Sequence, residues 1–166
     1  MKFYHVSDGY IVYLKKFDEK VAENKCENRP YVGIVIQVDE IKYYAPFTSP
    51  KDKHKKMKNG KDFRKIKGGT YGAINFNNMI PVPDNVLIPI DINNETDVKY
   101  RRLLQNQYKA IAEDSASIIK TAERLRQLIL TENDKLTAYD KQIKERCCNL
   151  QVLEDACCQY ENKNKE

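Results

Sequence analysis

Thr48, Ser49, Pro50 and Lys51 put two hydroxyls and an amine on one tight turn, and His54 follows three residues later. Those groups suit the metal-free cleavage of RNA. In that reaction the ribose 2′-hydroxyl attacks its own adjacent phosphate, so the protein supplies no nucleophile. It has to take a proton from that hydroxyl, give one to the leaving 5′-oxygen and stabilise the extra negative charge on the phosphorane. Thr48 and Ser49 can donate hydrogen bonds to phosphoryl oxygens. Lys51 can neutralise the developing charge, or act as base or acid where burial or neighbouring cations lower its pKa. His54 has the ordinary pKa of a proton carrier. Tyrosines, eleven in the chain, can stack on splayed bases. Blander roles fit the same residues: Thr-Ser-Pro is a common turn, a histidine among lysines is commonly exposed, and tyrosines commonly serve a sheet core.

The turn opens the most basic part of the chain. Residues 51–67 carry nine lysines and arginines against two aspartates, so this stretch holds +7 of a net charge of +5 and the remainder sums to −2. Such a patch suits a polyanion, of which nucleic acid is the commonest in the cytosol. Lys53, Lys55, Lys56, Lys58, Lys61, Arg64, Lys65 and Lys67 are therefore read as groove-lining charge; a solvated loop that the lysines keep soluble is the alternative.

Other chemistries lack their residues. There is no HExxH, and the two histidines, His5 and His54, lie far from the cysteines in sequence. Neither a P-loop nor a dinucleotide-binding glycine pattern is present. No metal site and no cofactor are expected. Five cysteines, an odd number, include the adjacent pairs Cys147-Cys148 and Cys157-Cys158 in a region that reads as helix. Zinc thiolates are usually spaced two to four residues apart, so these are read as small apolar residues in a reducing compartment. No apolar run approaches the ~18 residues that span a bilayer, and Met1–His5 lacks the start of a secretion signal. The expected address is the cytosol, with no membrane partner.

The elements that must position these groups can be read from pattern. The 166 residues, 41% hydrophobic and 32% charged, suit one soluble domain over 1–166, with a sheet core over about 1–92 and a helical part over about 95–162. Phe3–Val6 reads as a strand and Ser7-Asp8-Gly9 as a turn. Ile11–Leu14 leads into Lys15–Lys20, read as a connection or short helix. Tyr31–Val38 is the strongest strand, β-branched and aromatic, and pairs with Ile41–Phe47 through a turn at Asp39-Glu40. The basic stretch reads as a long loop with one helical turn. Thr70–Phe76 reads as another strand, and the prolines of Met79–Pro83 and Val86–Ile90 suggest edges. From Glu95 to Glu161 there is neither proline nor glycine. Tyr100, Leu103, Leu104, Tyr108 and Ile111 form one helical stripe. Ile118, Ala122, Leu125 and Leu128-Ile129 form a second, and Leu150, Leu153, Ala156 and Cys157 a third. Thr96-Asp97 marks a helix start and Asp114-Ser115 a break. The class is α+β, a small twisted antiparallel sheet followed by helices.

Four segments go further together: MKFYHVSDGYIVYLKKFDEKV, RPYVGIVIQVDEIKYYAPFTSPKDKH, GAINFNNMIPVP and YRRLLQNQYKAI. In this order they resemble the ToxN/AbiQ/CptN family, the toxins of type III toxin–antitoxin systems, over Met1 to about Leu130. After that only helical periodicity is left. The resemblance implies a highly twisted sheet related to the SH3-like barrel of the MazF and Kid toxins. It implies metal-independent, sequence-specific endoribonuclease activity leaving 2′,3′-cyclic phosphate and 5′-hydroxyl ends. The substrates would be cellular mRNA and the repetitive precursor of the antitoxin RNA. The processed pseudoknot would stay bound as inhibitor in closed assemblies of toxin and RNA, with no DNA partner. Free toxin would arrest growth or abort phage infection. The family motif falls on Thr48, Ser49, Pro50 and Lys51, which makes Lys51 the first choice for the catalytic cation and Thr48 and Ser49 holders of the scissile phosphate. The family's N-terminal tyrosine matches Tyr10, assigned to substrate positioning near the cut. A family lysine matches Arg29, a departure that favours phosphate clamping over proton transfer. His54 matches a histidine of a relative. The alternative from another class is a non-catalytic RNA-binding module that grips phosphates with the 51–67 loop; a third is a structural role through the helical half.

Overall fold

The computed structural model describes residues 1–26, 28–38 and 41–163 (for residues 34–38 and 163, the backbone), so the turn expected at Asp39-Glu40 lies outside the described residues. Its centre is a hairpin of β2 (Tyr31–Val38) and β3 (Ile41–Thr48), paired antiparallel with Tyr31 opposite Pro46 and Val32 opposite Ala45. The far edge of β3 is shared by two short strands. β6 (Ile80–Pro81) pairs at Tyr43 and Tyr44, and β5 (Ala73–Asn75) at Phe47 and Thr48. β1 (Phe3–Val6) pairs with β2, β7 (Leu87–Pro89) with β1, and β4 (Phe63–Lys65) with β5. The order β4-β5-β3-β2-β1-β7 is that of an open sheet, and among the described residues its end strands do not close into a barrel. With β3 central, five successive residues, Tyr43 to Phe47, are buried, and the strand delivers Thr48 to the edge of the core.

Helix α1 (Asp8–Lys15) begins where a turn was expected. Tyr10, Ile11 and Leu14 bury one face of it, so packing overrides the strand preference of Ile-Val-Tyr. The basic stretch is also more ordered than a loop. It holds α2 (Asp52–Lys56) and then β4, whose Arg64 lies opposite Ile74. The reason is tertiary: His54, Asp62 and Ile66 are buried, and the rings of His54 and Phe63 meet at 5.9 Å. The strand expected over Thr70–Phe76 shrinks to Ala73–Asn75, because Gly69 and Gly72 both have φ +95° and break its start.

The second half is helical as expected. In α3 (Val98–Glu113) the Asp97 carboxylate accepts from the amides of Lys99 and Tyr100 at 2.8 and 3.1 Å, which satisfies two otherwise unpaired donors. Asp114 separates α3 from α4 (Ser115–Leu130). α5 (Ala138–Arg146) is capped by Thr137, and α6 (Leu150–Lys163) buries Leu150, Leu153, Ala156 and Cys157, the whole third stripe. Cys147 and Cys148 lie between α5 and α6 rather than within a helix, and both are buried; Cys157 is buried, while Cys158 and Cys26 are exposed. Burial pushes the Cys147 and Cys148 thiols up to about 12 and Cys157 to about 11. They are therefore inert packing groups, and all five cysteines are free thiols. One contiguous cluster of buried side chains runs from Phe3 in the sheet to Cys157 in α6. Across it the Tyr43 hydroxyl and Arg126 both bond Glu154, joining β3, α4 and α6.

Candidate active site

Thr48 ends β3, and the chain leaves the sheet through Ser49, Pro50 and Lys51 into α2. This exit is fixed from three sides. From below, Gly72 comes so close that a Cβ on it would stand 1.8 Å from the Thr48 carbonyl oxygen, and its φ of +95° suits glycine alone. From the turn itself, the His54 amide donates to the Lys51 carbonyl at 2.9 Å, and the Lys51 amide donates back to His54 Nδ1 at 3.3 Å. From α3, the Gln107 side chain reaches over to the carbonyls of Thr48 and Tyr71.

The exit forms one wall of an open cleft of about 310 Å³. Thr48, Ser49 and Lys51 line it together with Arg29 and Pro30 from the segment that enters β2, and Phe47 forms part of its wall. Lys25 and Asn28 add polar groups, and Tyr100 and Gln107 contribute from α3. The structure thus brings together four of the six candidate catalytic residues: Thr48, Ser49, Lys51 and Arg29. Ser49 and Lys51 are exposed, and Arg29 is half-buried. The Thr48 hydroxyl is buried and has no hydrogen-bond partner among the described residues. Such a group costs free energy unless something pairs with it, and its residue is one of those that line the cleft. Arg29 is held by its main chain, whose carbonyl accepts from His5 Nδ1 at 3.2 Å, and by its Nε, which donates to the Glu23 carbonyl.

The other two candidates lie elsewhere. Tyr10 is fully buried in α1, its hydroxyl donating to the Pro81 carbonyl at 2.9 Å and its ring 4.9 Å from that of Tyr160. Burial and the neighbouring Cys157 push its phenol far above its ordinary range. Tyr10 therefore lies in the core, where it braces α1 and α6 against the sheet, and it does not line this cleft. His54 is buried rather than exposed and stands behind Lys51. Its Nδ1 must be unprotonated to accept from Lys51, and burial, followed by the charges of Lys51 and Lys53, holds its pKa below the ordinary 6.5.

The basic residues divide as well. Lys53, Lys55, Lys56 and Lys58 are exposed on and just after α2, and among the described residues none has an ion-pair partner. Lys61 is paired with Asp140 at 2.5 Å, and Arg64 forms a two-point pair with Asp114. Lys65 and Lys67 line a second cleft beside that pair, which Glu113 and Asp114 make mixed in charge. The exposed, unpaired lysines nearest Lys51 in sequence are thus those on and just after α2. Tyr100 and Gln107 were not anticipated as cleft residues, although both fall on the first helical stripe or at its spacing. Burial and the nearby Glu95 raise the Tyr100 phenol. Among the described residues no three of His, Cys, Asp and Glu converge as a metal site requires, and no helix is long and apolar enough to cross a membrane.

Comparison with known proteins places the chain. The model of the ToxN toxin family of type III toxin–antitoxin systems matches residues 2–158, and the chain belongs to that family. The match continues into α6, well past Leu130, where the sequence resemblance had faded. The chain is 33% identical to an endoribonuclease ToxN of Pectobacterium atrosepticum over 100% of its own length and 95% of the relative's. It is similar, with a TM-score of 0.85 and 31% identity over 96% of this chain and 97% of the other, to a solved chain from a study of type III systems in which a non-coding RNA pseudoknot selectively inhibits the toxin. Another solved relative is AbiQ, a lactococcal anti-phage endoribonuclease of a type III system, at 27% identity and a TM-score of 0.79 over 97% of this chain and 98% of that one.

Proposed function

We propose that this chain is the endoribonuclease toxin of a type III toxin–antitoxin system and that it cuts RNA in the cleft at the end of β3. The observation that carries the reading is the convergence of Thr48, Ser49, Lys51 and Arg29 on that one cleft. The scissile phosphate sits against the Thr48 and Ser49 hydroxyls, and Arg29 clamps one of its oxygens. The ribose 2′-oxygen attacks the phosphorus and the bond to the 5′-oxygen breaks. The proton lost from the 2′-hydroxyl is balanced by the one that the 5′-oxygen gains. The products are a 2′,3′-cyclic phosphate and a 5′-hydroxyl, with no metal in the step. Lys51 stabilises the charge of the phosphorane, and the exposed lysines of α2 hold the flanking strand.

The same reading makes cellular mRNA and the repetitive antitoxin precursor the substrates, in the cytosol. A processed pseudoknot RNA is the inhibitor, held in a closed assembly with the toxin. The relatives' pseudoknot-inhibited toxin and anti-phage endoribonuclease support these partners. Kinship of the open sheet to the SH3-like barrel of MazF and Kid is part of the proposal. The test is expression of wild type and Lys51→Ala in a bacterial host. Wild type is expected to arrest growth, and Lys51→Ala, folded by circular dichroism, to be harmless. A Lys51→Ala protein as toxic as wild type would remove Lys51 from the site.

A further inference from the structure

Among the described residues six polar or charged side chains are buried, and five have evident tasks. Asp18 accepts from the amides of Lys20 and Asn149, and Asn24 holds the Val6 carbonyl. Asp62 and Glu154 are paired with Arg146 and Arg126, and His54 holds Lys51. The sixth is Gln107. It lies on the inner face of α3 between Leu104 and Ile111, where the helical stripe asks for an apolar side chain, and is 2% exposed. Its Nε2 donates at 2.8 Å to the Tyr71 carbonyl and at 3.3 Å to the Thr48 carbonyl. Those carbonyls belong to the two segments that Gly72 brings into contact. One amide with two protons thus ties α3 to both sides of the β3 exit.

We propose that Gln107 is a positioning residue for the cleft: its amide clamps the end of β3, so that the Thr48 hydroxyl and Lys51 stand in a fixed relation to Arg29. The inference rests on the reading of that cleft as the place where RNA is cut. A clamp of this kind acts on geometry rather than on RNA affinity. A displacement of about 1 Å at a reacting group can lower a rate about a hundredfold, while the exposed lysines that hold the strand are untouched. A glutamine that merely fills the interior would change stability and leave the turnover of the folded protein alone.

The experiment compares wild type with Gln107→Met, which keeps the length and loses both donors, and with Gln105→Met at an exposed position of the same helix. Two readouts are taken. Hydrogen exchange is followed at the Lys51 and His54 amides, both bonded within the turn, against amides of α4. Cleavage of a short single-stranded RNA is followed as kcat and KM. In Gln107→Met the two turn amides are expected to exchange at least ~10-fold faster with α4 unchanged, and kcat to fall ~10- to 100-fold with KM within about threefold. Gln105→Met should match wild type. Turn amides that exchange at the wild-type rate, or a loosened turn with an unchanged kcat, overturn the proposal. If wild type cuts no RNA, the reading of the cleft falls, and the exchange rates alone uphold or overturn the clamp. If Gln107→Met does not fold, Gln107→Glu takes its place. A carboxylate accepts only, so kcat relative to wild type should be low at neutral pH and recover as acid restores a proton to donate. A flat ratio near one contradicts the clamp.

Discussion

At the scale of single residues, the site depends on which groups are free and which are committed. Lys51 and Ser49 are exposed and the Thr48 hydroxyl lacks a partner among the described residues, whereas Lys61 and Arg64 are spent on ion pairs. His54 is committed too, to the amide of Lys51, and this makes the turn sensitive to acid. Its folded-state pKa lies below the unfolded value of 6.5. Above pH 6.5 the ring is neutral in both states and its contribution to stability is fully present. As pH falls through 6.5 toward the lower folded value, the unfolded chain takes up the proton first and stability is lost. The proton would also occupy Nδ1, the atom that accepts from Lys51. Wild type should therefore lose urea resistance as pH falls below about 6.5 more steeply than His54→Phe, which lacks this proton. Equal slopes for the two proteins would show that the ring is not held neutral by its surroundings.

At the scale of elements, the exit of β3 is only as well placed as the glycine beneath it. Replacing Gly72 with alanine puts a methyl group into the Thr48 carbonyl at a φ that disfavours a side chain. That change should cost ~2 kcal/mol or more by chemical denaturation and lower cleavage in whatever protein still folds. A Gly72→Ala protein with wild-type stability and activity would mean that the close approach has no consequence. The exit itself was legible, because the β-branched run Tyr31–Val38 and its partner Ile41–Phe47 announce a hairpin, and Thr-Ser-Pro-Lys announces its end. The helices of the second half were legible from their stripes and from the Asp97 and Asp114 signals. Less was legible where tertiary contacts decide. β4 forms because Ala73–Asn75 is there to pair with it, and no pattern within Lys61–Lys67 says so. A run of lysines does not reveal which of them a carboxylate from the helical half will take. Gln107 looks like an interruption of an apolar stripe, and only the folded chain gives it two carbonyls to bind. Tyr10 matches a family position, yet helix α1 turns it into the core.

At the scale of the whole molecule, the helices brace a site whose cations come from the sheet half. Tyr43, Arg126 and Glu154 link β3 to α4 and α6, while Asp62–Arg146, Arg64–Asp114 and Lys61–Asp140 fasten the basic segment to the helical half. Removing Glu154 leaves Arg126 and the Tyr43 hydroxyl without their common partner in a mostly buried place. Glu154→Ala should therefore lose roughly 3 kcal/mol in urea unfolding, and a loss below about 0.5 kcal/mol would reduce the network to ornament. The central claim concerns RNA, and the most direct measurement is of RNA ends. Protein freed of bound nucleic acid would be incubated with RNA in excess EDTA, wild type beside Lys51→Ala, and the products read by mass spectrometry. The account predicts 2′,3′-cyclic phosphates and 5′-hydroxyls from wild type, with Lys51→Ala slower by about a hundredfold or more. RNA left intact by folded wild type, or equal cleavage by both proteins, would contradict it.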